Sequence, residues 1–456
     1  MSSSQYPSDM RMVWRNDPAY ETFRQNLWNQ LVPDRFPEVI VSPSSADDVV
    51  HAIDLARSRG LTVTTQTGGH TWCSPSLRDG GMLIELSQLN GLAIDAEART
   101  ATVQPNIKSR SFALALASEG LAFSTGHCSR ASLAGFLLSG GVGWNAGAWG
   151  PSTSSVEEIE IVLADGTVVR ASEDENSDLF WAARGGGSGF FGVVTRFRLR
   201  LEALPKAITV STYRYPLAYV DEVAEWASKI APALPTQVEM FLCLSGVPPE
   251  LVSALGEKII TVEAVAFANS PEEAERWLAV LETCPFRQHA VMREDRKPSS
   301  WVALYDATDD LWPEHRRNAA EMPWCDEDYT RTLPLLAPHI DRAPSRESHI
   351  IGWINPRAGS SRLPDMAFSM WRRQVVPMYA IWQDPTDDAA NLTWLREARE
   401  TIGSRIVGNY LGESDLLAAP DRARRSFGEA QWQRLKILRQ RYDPEGVFHN
   451  FLGVVG

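Results

Sequence analysis

Leu61-Thr62-Val63-Thr64-Thr65-Gln66-Thr67-Gly68-Gly69-His70-Thr71 is the stretch on which the reading of this chain turns. Its first six residues are rich in Thr and Val, which suit a pleated strand. Gly68 and Gly69 then remove two Cβ atoms and allow positive φ, so that backbone N–H groups can gather around an anion. Upstream, Val39 to Val41 reads as a strand, Ser44 and Ser45 offer an N-cap, and Val49, Val50, Ile53 and Leu55 form the apolar stripe of a helix ending at Gly60. This β-α-β opening carries Thr67 to His70 to the end of a strand, where open sheets bind ligands.

A second glycine-rich stretch lies downstream, Gly135-Phe136-Leu137-Leu138-Ser139-Gly140-Gly141-Val142-Gly143-Trp144, with Cys128 just ahead of it. Two nucleophiles, His70 and Cys128, thus each stand beside backbone that can approach a ligand closely, which suggests a cofactor held by covalent bonds. The blander alternatives are a surface histidine on a tight turn and a buried structural cysteine.

The rest of the chain sets limits. With 456 residues it exceeds one ordinary domain. Its 44% hydrophobic and 22% charged residues are those of a globular protein, and its net charge of -13 disfavours nucleic acid and anionic membrane surfaces. No apolar run approaches the roughly 20 residues that span a bilayer. The polar N-terminus does not read as a secretion signal, and the five cysteines are odd in number and widely spaced. Both features point to a reducing compartment, the cytoplasm.

Further strands are expected at Met82 to Leu86 and Thr100 to Gln104, a helix from Ser109 to Gly120, and a hairpin joining Ile159–Leu163 to Thr167–Ala171 through Asp165-Gly166. Asp178 to Arg184 reads as a short helix and Val193 to Leu201 as a strand with one wet face. Texture changes near Leu204-Pro205. Helices are expected over Tyr219–Ala233, Pro271–Leu281 and Ala389–Ile402. They alternate with strands at Val238–Leu244, Ile259–Phe267, Ile350–Ile354, Met366–Trp371 and Pro377–Trp382. The expectation is therefore an α+β chain with a domain over 1–205, an inserted α+β domain with a mainly antiparallel sheet over 206–405, and a return of 406–456 to the first.

Two motifs need weighing. Gly187, Gly189 and Gly192 satisfy G-x-G-x-x-G, but a helix precedes and a strand follows, the reverse of a dinucleotide-binding unit. His70-x-x-Cys73 with His127-Cys128 offers a zinc set and a hydrolase reading, although adjacent ligands fit tetrahedral coordination poorly.

Taken together, Gln66 to Thr71, Cys128 to Trp144, Asp178 to Gly187, Phe191 to Phe197, Asn409-Tyr410-Leu411-Gly412-Glu413 and Tyr442-Asp443-Pro444 resemble the berberine bridge enzyme-like branch of the vanillyl-alcohol oxidase / p-cresol methylhydroxylase flavoproteins. The similarity spans nearly the whole chain and is densest from 38 to 202. It implies an FAD-binding domain built from both chain ends, with FAD linked to His70 at the flavin 8-methyl carbon and, as in bicovalent members, to Cys128 at C6. The cofactor-binding residues it implies are Gln66, Thr67, Gly68, Gly69, His70, Thr71, Cys128, Ser132, Leu133, Gly135, Phe136, Gly140, Gly141, Trp144, Val194 and Asn409.

The chain departs from the family pattern at three places. Gln66-Thr67 replaces Arg-Ser, so a cation near the flavin is missing. Ala131 occupies a position that gates oxygen in relatives, and its small size suggests access for O2. Val407 takes the place of the first tyrosine of Tyr-x-Asn-Tyr, the usual candidate base, which leaves Tyr410 as the candidate catalytic group.

The resemblance implies an oxidase that moves hydride from an alcohol, amine or related C–H centre to flavin N5, with O2 as acceptor. The substrate is expected to be a small molecule, aromatic, terpenoid or sugar-like, given 16 Trp of which Trp353, Trp371 and Trp394 lie in the insert. Along Pro377–Trp382, Tyr379 and Ile381 should share one face, with Met378, Ala380 and Trp382 on the other. Asp384 is a candidate polar anchor or a solvated loop residue. Rivals are a flavin dehydrogenase with poor O2 reactivity, the zinc hydrolase, and a flavin-retaining protein without turnover. The oligomeric state is left open.

Overall fold

The computed structural model describes residues 10–247, 249–356, 363–416 and 418–452. The β-α-β opening forms as read. Strand Val39–Ser42 leads into helix Ala46–Arg59, whose Ser45 side chain accepts from the Asp48 N–H and whose Gly60 cap sits at φ 66. Strands Val39–Ser42 and Val63–Gln66 flank Met82–Glu85 in parallel, and Arg11–Trp14 closes the edge antiparallel. Next to this sheet lies an antiparallel one of five strands, ordered Leu92–Asp95, Thr100–Val103, Val193–Arg200, Val156–Val162, Val168–Ala171. The Asp165-Gly166 hairpin is present, with Gly166 at φ 84.

The two smaller sheets share one hydrophobic core, running from Val39 to Leu201 and completed by Leu411 to Leu452. A parallel bridge from Val63 to Phe448 stitches the tail to the first sheet.

Between these parts lies an antiparallel sheet of ten strands, with its own core running from Tyr213 to Ile406. Ala207–Pro216, Lys258–Ala268, Val238–Gly246 and His349–Ile354 are consecutive neighbours in it. Met378, Ala380 and Trp382 enter the core on one face, while Tyr379 and Ile381 cluster with Trp72 on the other, in the expected alternation. Trp394 and Trp371 pack in apolar clusters, and Asp384 caps an exposed turn through Thr386.

Two expectations need correction. Met366–Trp371 forms no strand. Its alternating Met366, Phe368 and Met370 mimic one, but the Ala367 and Phe368 N–H groups donate to the Trp181 and Arg184 carbonyls at the end of helix Ser177–Ala183. Those bonds satisfy carbonyls that a helix end leaves free, so the segment plugs the gap between the two cores. The strand Ile406–Asn409 pairs with Pro323–Cys325 in the large sheet, so the chain crosses back at Tyr410 rather than at 406.

The G-x-G-x-x-G glycines sit between a helix and a strand and serve close packing. A Cβ on Gly189 would lie 2.3 Å from the Phe451 ring, and one on Gly192 would lie 2.6 Å from Ile161. Because the ring belongs to the returning tail, Gly189→Ala should weaken the docking of that tail. We expect a loss of about 1–3 kcal/mol in denaturant-induced unfolding. An unchanged unfolding midpoint would count against this packing role.

Candidate active site

The His70 turn and the Cys128 loop come from different parts of the first core, and the fold brings them into contact. His70 Nε2 and Cys128 Sγ form a hydrogen-bonded pair at 3.1 Å. The His70 ring stacks on Trp28 at 4.2 Å and meets Trp72 edge-on. Burial, reinforced by the Lys108 cation, pushes His70 down to about 4, so its ring is neutral and keeps a free nitrogen lone pair at neutral pH. Burial pushes the Cys128 thiol up to about 12 and keeps it protonated.

From Thr67 to Thr71 none of the five backbone N–H groups finds an acceptor among the described residues. Gly69 sits at φ 60, where a Cβ would lie 2.8 Å from Leu27. Such a run of free donors, lining a cleft of about 210 Å³, matches an anion such as a pyrophosphate.

The missing cation is supplied from elsewhere in the chain. Lys108 Nζ donates to Ser132 Oγ at 2.7 Å and to Asn106 Oδ1 at 3.0 Å, and a Cβ on Gly68 would stand 2.6 Å from it. The positive charge that Gln66-Thr67 lacks therefore reaches the turn from behind. Gln66 is engaged structurally, donating to the Asn26 carbonyl and accepting from Ser76.

The narrow cleft runs from Val63 and His449 past Val194, Gly135 and Ser132 to His70. There it meets a second cavity of about 950 Å³ under the large sheet. His70, Ala131, Phe136, Tyr410 and Glu413 border both. Cys128 and Trp144 face the larger cavity. Leu133, Gly140 and Asn409 border neither. Leu133 is core, Gly140 packs on Phe368, and the Asn409 side chain accepts from Arg399 at 3.2 Å. Gly141 acts indirectly, its N–H donating to the Tyr410 hydroxyl at 3.2 Å.

Glu413 is the residue that motif reading passed over. Its carboxylate accepts from the Tyr379 hydroxyl at 2.6 Å, and burial raises its pKa above the ordinary 4.5. Burial also raises Tyr410, as does Glu413, so Tyr410 holds its proton firmly. The only prior signal for Glu413 was its place in the Asn409–Glu413 motif.

The zinc set does not assemble. His127 turns to Glu239 at 3.2 Å, Cys73 is buried in the core, and no three His, Cys, Asp or Glu side chains converge among the described residues. No helix is long and apolar enough to cross a membrane.

Residues 37–172 match the profile of an FAD binding domain. The FAD-linked oxidoreductase pynB of Aspergillus niger is 32% identical over 478 residues, covering 95% of this chain and 88% of its own. The chain belongs to the FAD-linked oxidoreductase family. A further relative, the FAD-linked oxidoreductase ptmO of Penicillium ochrochloron, is 29% identical over 96% of this chain and 95% of its own.

The fold is that of the berberine bridge enzyme-like flavoproteins. It superimposes on 6-hydroxy-D-nicotine oxidase of Arthrobacter nicotinovorans with a TM-score of 0.85 at 20% identity, covering 99% of each chain. For BBE-like 1 of Physcomitrella patens the TM-score is 0.83 at 18% identity, with 97% of this chain and 96% of the other covered.

The turn, the cleft and Lys108 fit FAD. Pyrophosphate binding by this FAD-linked oxidoreductase should therefore fail if Gly69 gains a branched side chain. Gly69→Val is expected to yield folded protein with well under half the wild-type flavin absorbance per polypeptide. Full flavin content would contradict the cradle.

Proposed function

We propose that this FAD-linked oxidoreductase is an oxidase that takes hydride from a C–H bond beside an alcohol or amine, with the substrate held in the large cavity. The core formed by the two chain ends carries the FAD, and the large sheet covers the substrate. We further propose that His70 and Cys128 are the points of covalent attachment, since the two touch at 3.1 Å and both border the large cavity. When bound, FAD would supply the two-electron acceptor for the hydride, with O2 as the final oxidant and H2O2 as the product.

The observation that carries this reading is the half-buried Glu413 carboxylate at that junction. A base must take the substrate O–H or N–H proton as hydride leaves. Tyr410 is poorly suited, because its hydroxyl accepts from Gly141 and its proton is held tightly. Glu413 has the better chemistry. Its raised pKa makes it a stronger base than an ordinary carboxylate, and Tyr379 orients it. Tyr410 then positions the substrate beside the glycine loop.

Ala131 supports O2 as acceptor, since its methyl group leaves the junction unobstructed. Among chains of this fold, wild-type Phl p 4 is a glucose dehydrogenase and a single-substitution variant of it is a glucose oxidase, so the fold accommodates both outcomes.

Two measurements test the reading. Anaerobically reduced protein mixed with aerated buffer should reoxidise rapidly with release of H2O2, whereas sluggish reoxidation would make it a dehydrogenase. Glu413→Gln should lower the rate of flavin reduction about 10²–10⁴-fold, while Tyr410→Phe costs far less. Glu413 acts in its deprotonated form, so wild-type kcat/KM should fall as pH drops through a pKa above 4.5, and that limb should vanish in the variant. Equal rates in Glu413→Gln and wild type would remove Glu413 from the chemistry.

A further inference from the structure

The large cavity is not uniformly apolar. Near the junction its walls are Trp72, Phe136, Phe241, Trp353 and Tyr379, a surface suited to rings or hydrocarbon. The opposite end is different. There the wall is made by Ala207–Pro216 and Lys258–Ala268, and Arg214, Thr261 and Glu263 enter the cavity.

Two arginines border the cavity; Arg346 donates to the Val247 carbonyl at 3.1 Å, whereas the Arg214 guanidinium has no oxygen acceptor among the described residues. Its NH1 has Met292 Sδ as its partner at 3.0 Å, a weak acceptor, and among the described residues its carboxylate neighbour Glu263 acts only through longer-range charge, outside ion-pair distance. A half-buried guanidinium left this way has lost part of its hydration without gaining an anion, which is costly unless a ligand completes it. Glu263 does not complete it. Its carboxyl accepts from the Thr212 hydroxyl at 3.3 Å and stands outside ion-pair distance of Arg214; burial raises its pKa while the Arg214 charge lowers it.

Sheet register gives the span. Arg214 pairs with Thr261, Thr261 with Cys243, and Cys243 with Ile351. Tyr379, the partner of Glu413, pairs with His349 one strand further on. Four strand spacings therefore separate Arg214 from Tyr379, about 19 Å at about 4.8 Å each. Arg214, Thr261, Cys243, Ile351, His349 and Tyr379 all border the same cavity.

We propose that the substrate is an elongated, mainly apolar molecule bearing a carboxylate remote from the carbon that is oxidised, and that Arg214 is the specificity-determining residue that binds this carboxylate. The orientation rests on the reading above that oxidation occurs beside Glu413. A bidentate Arg–carboxylate contact in a partly desolvated site is worth more than a neutral hydrogen bond and fixes which end of the molecule enters first.

The test uses the holoenzyme and two probes of matched shape, deoxycholate below its micellar concentration and its methyl ester. Binding is read at equilibrium from tryptophan quenching and perturbation of the flavin visible band. Wild type should bind the carboxylate at least about tenfold more tightly than the ester. Arg214→Met should bring the carboxylate down to the affinity of the ester and leave the ester unchanged, and Arg214→Lys should recover most of the difference.

Equal binding of the two probes by wild type, no binding of the carboxylate, or parallel loss of both probes in Arg214→Met would overturn the proposal. No turnover enters these titrations. A wrong base assignment would show as full activity in Glu413→Gln with the titrations intact, whereas a wrong anchor would show in the titrations alone.

Discussion

His70 and Cys128 meet at 3.1 Å because two loops, each tied to the first core, are pressed to one point. The histidine turn is the exit of the parallel strand Val63–Gln66, and the cysteine loop is pinned by an antiparallel bridge between Lys108 and Ser132. Almost everything else in the molecule is arranged around that point. The narrow cleft leads to it from the tail, the wide cavity opens from it beneath the large sheet, and Tyr410 and Glu413 close it from the side where the chain crosses back.

Burial sets the chemistry of this junction. It strips the proton from His70, keeps one on Cys128 and raises Glu413. The same low-dielectric surroundings thus favour a neutral imidazole at one edge and a more basic carboxylate at the other. A narrow slot with free backbone donors, bordered by Arg78 and backed by Lys108 behind the turn, suits a phosphate-bearing cofactor, while the wide aromatic cavity suits a hydrophobic substrate. The division follows from the two cores, one closed by residues 411–452 and the other built on ten antiparallel strands.

Much of this was legible in the sequence where local pattern and packing agree. The opening β-α-β unit has its Ser45 cap, its apolar stripe and its Gly60 stop, and all three are used. The antiparallel insert showed in its alternating strands, and the reversed order around Gly187 exposed the dinucleotide motif as packing. Met366–Trp371 misled because its apolar alternation arises from plugging a gap between cores, a tertiary demand that a strand pattern imitates. Lys108 escaped notice because a motif comparison looks for a cation beside the glycines, whereas here it arrives from another segment. Glu413 was legible only as part of its motif, since its pairing depends on Tyr379 from a distant strand.

The covalent hold of FAD by His70 and Cys128 is the proposal on which the functional reading depends. The most direct measurement is acid precipitation of the purified protein, proteolysis, and mass and absorbance analysis of the peptides. The account predicts flavin retained on peptides containing His70 and Cys128, kept by His70→Ala or Cys128→Ala singly and lost to the supernatant when both are replaced. Wild-type flavin released entirely on precipitation, or attached to a peptide containing neither residue, would contradict it.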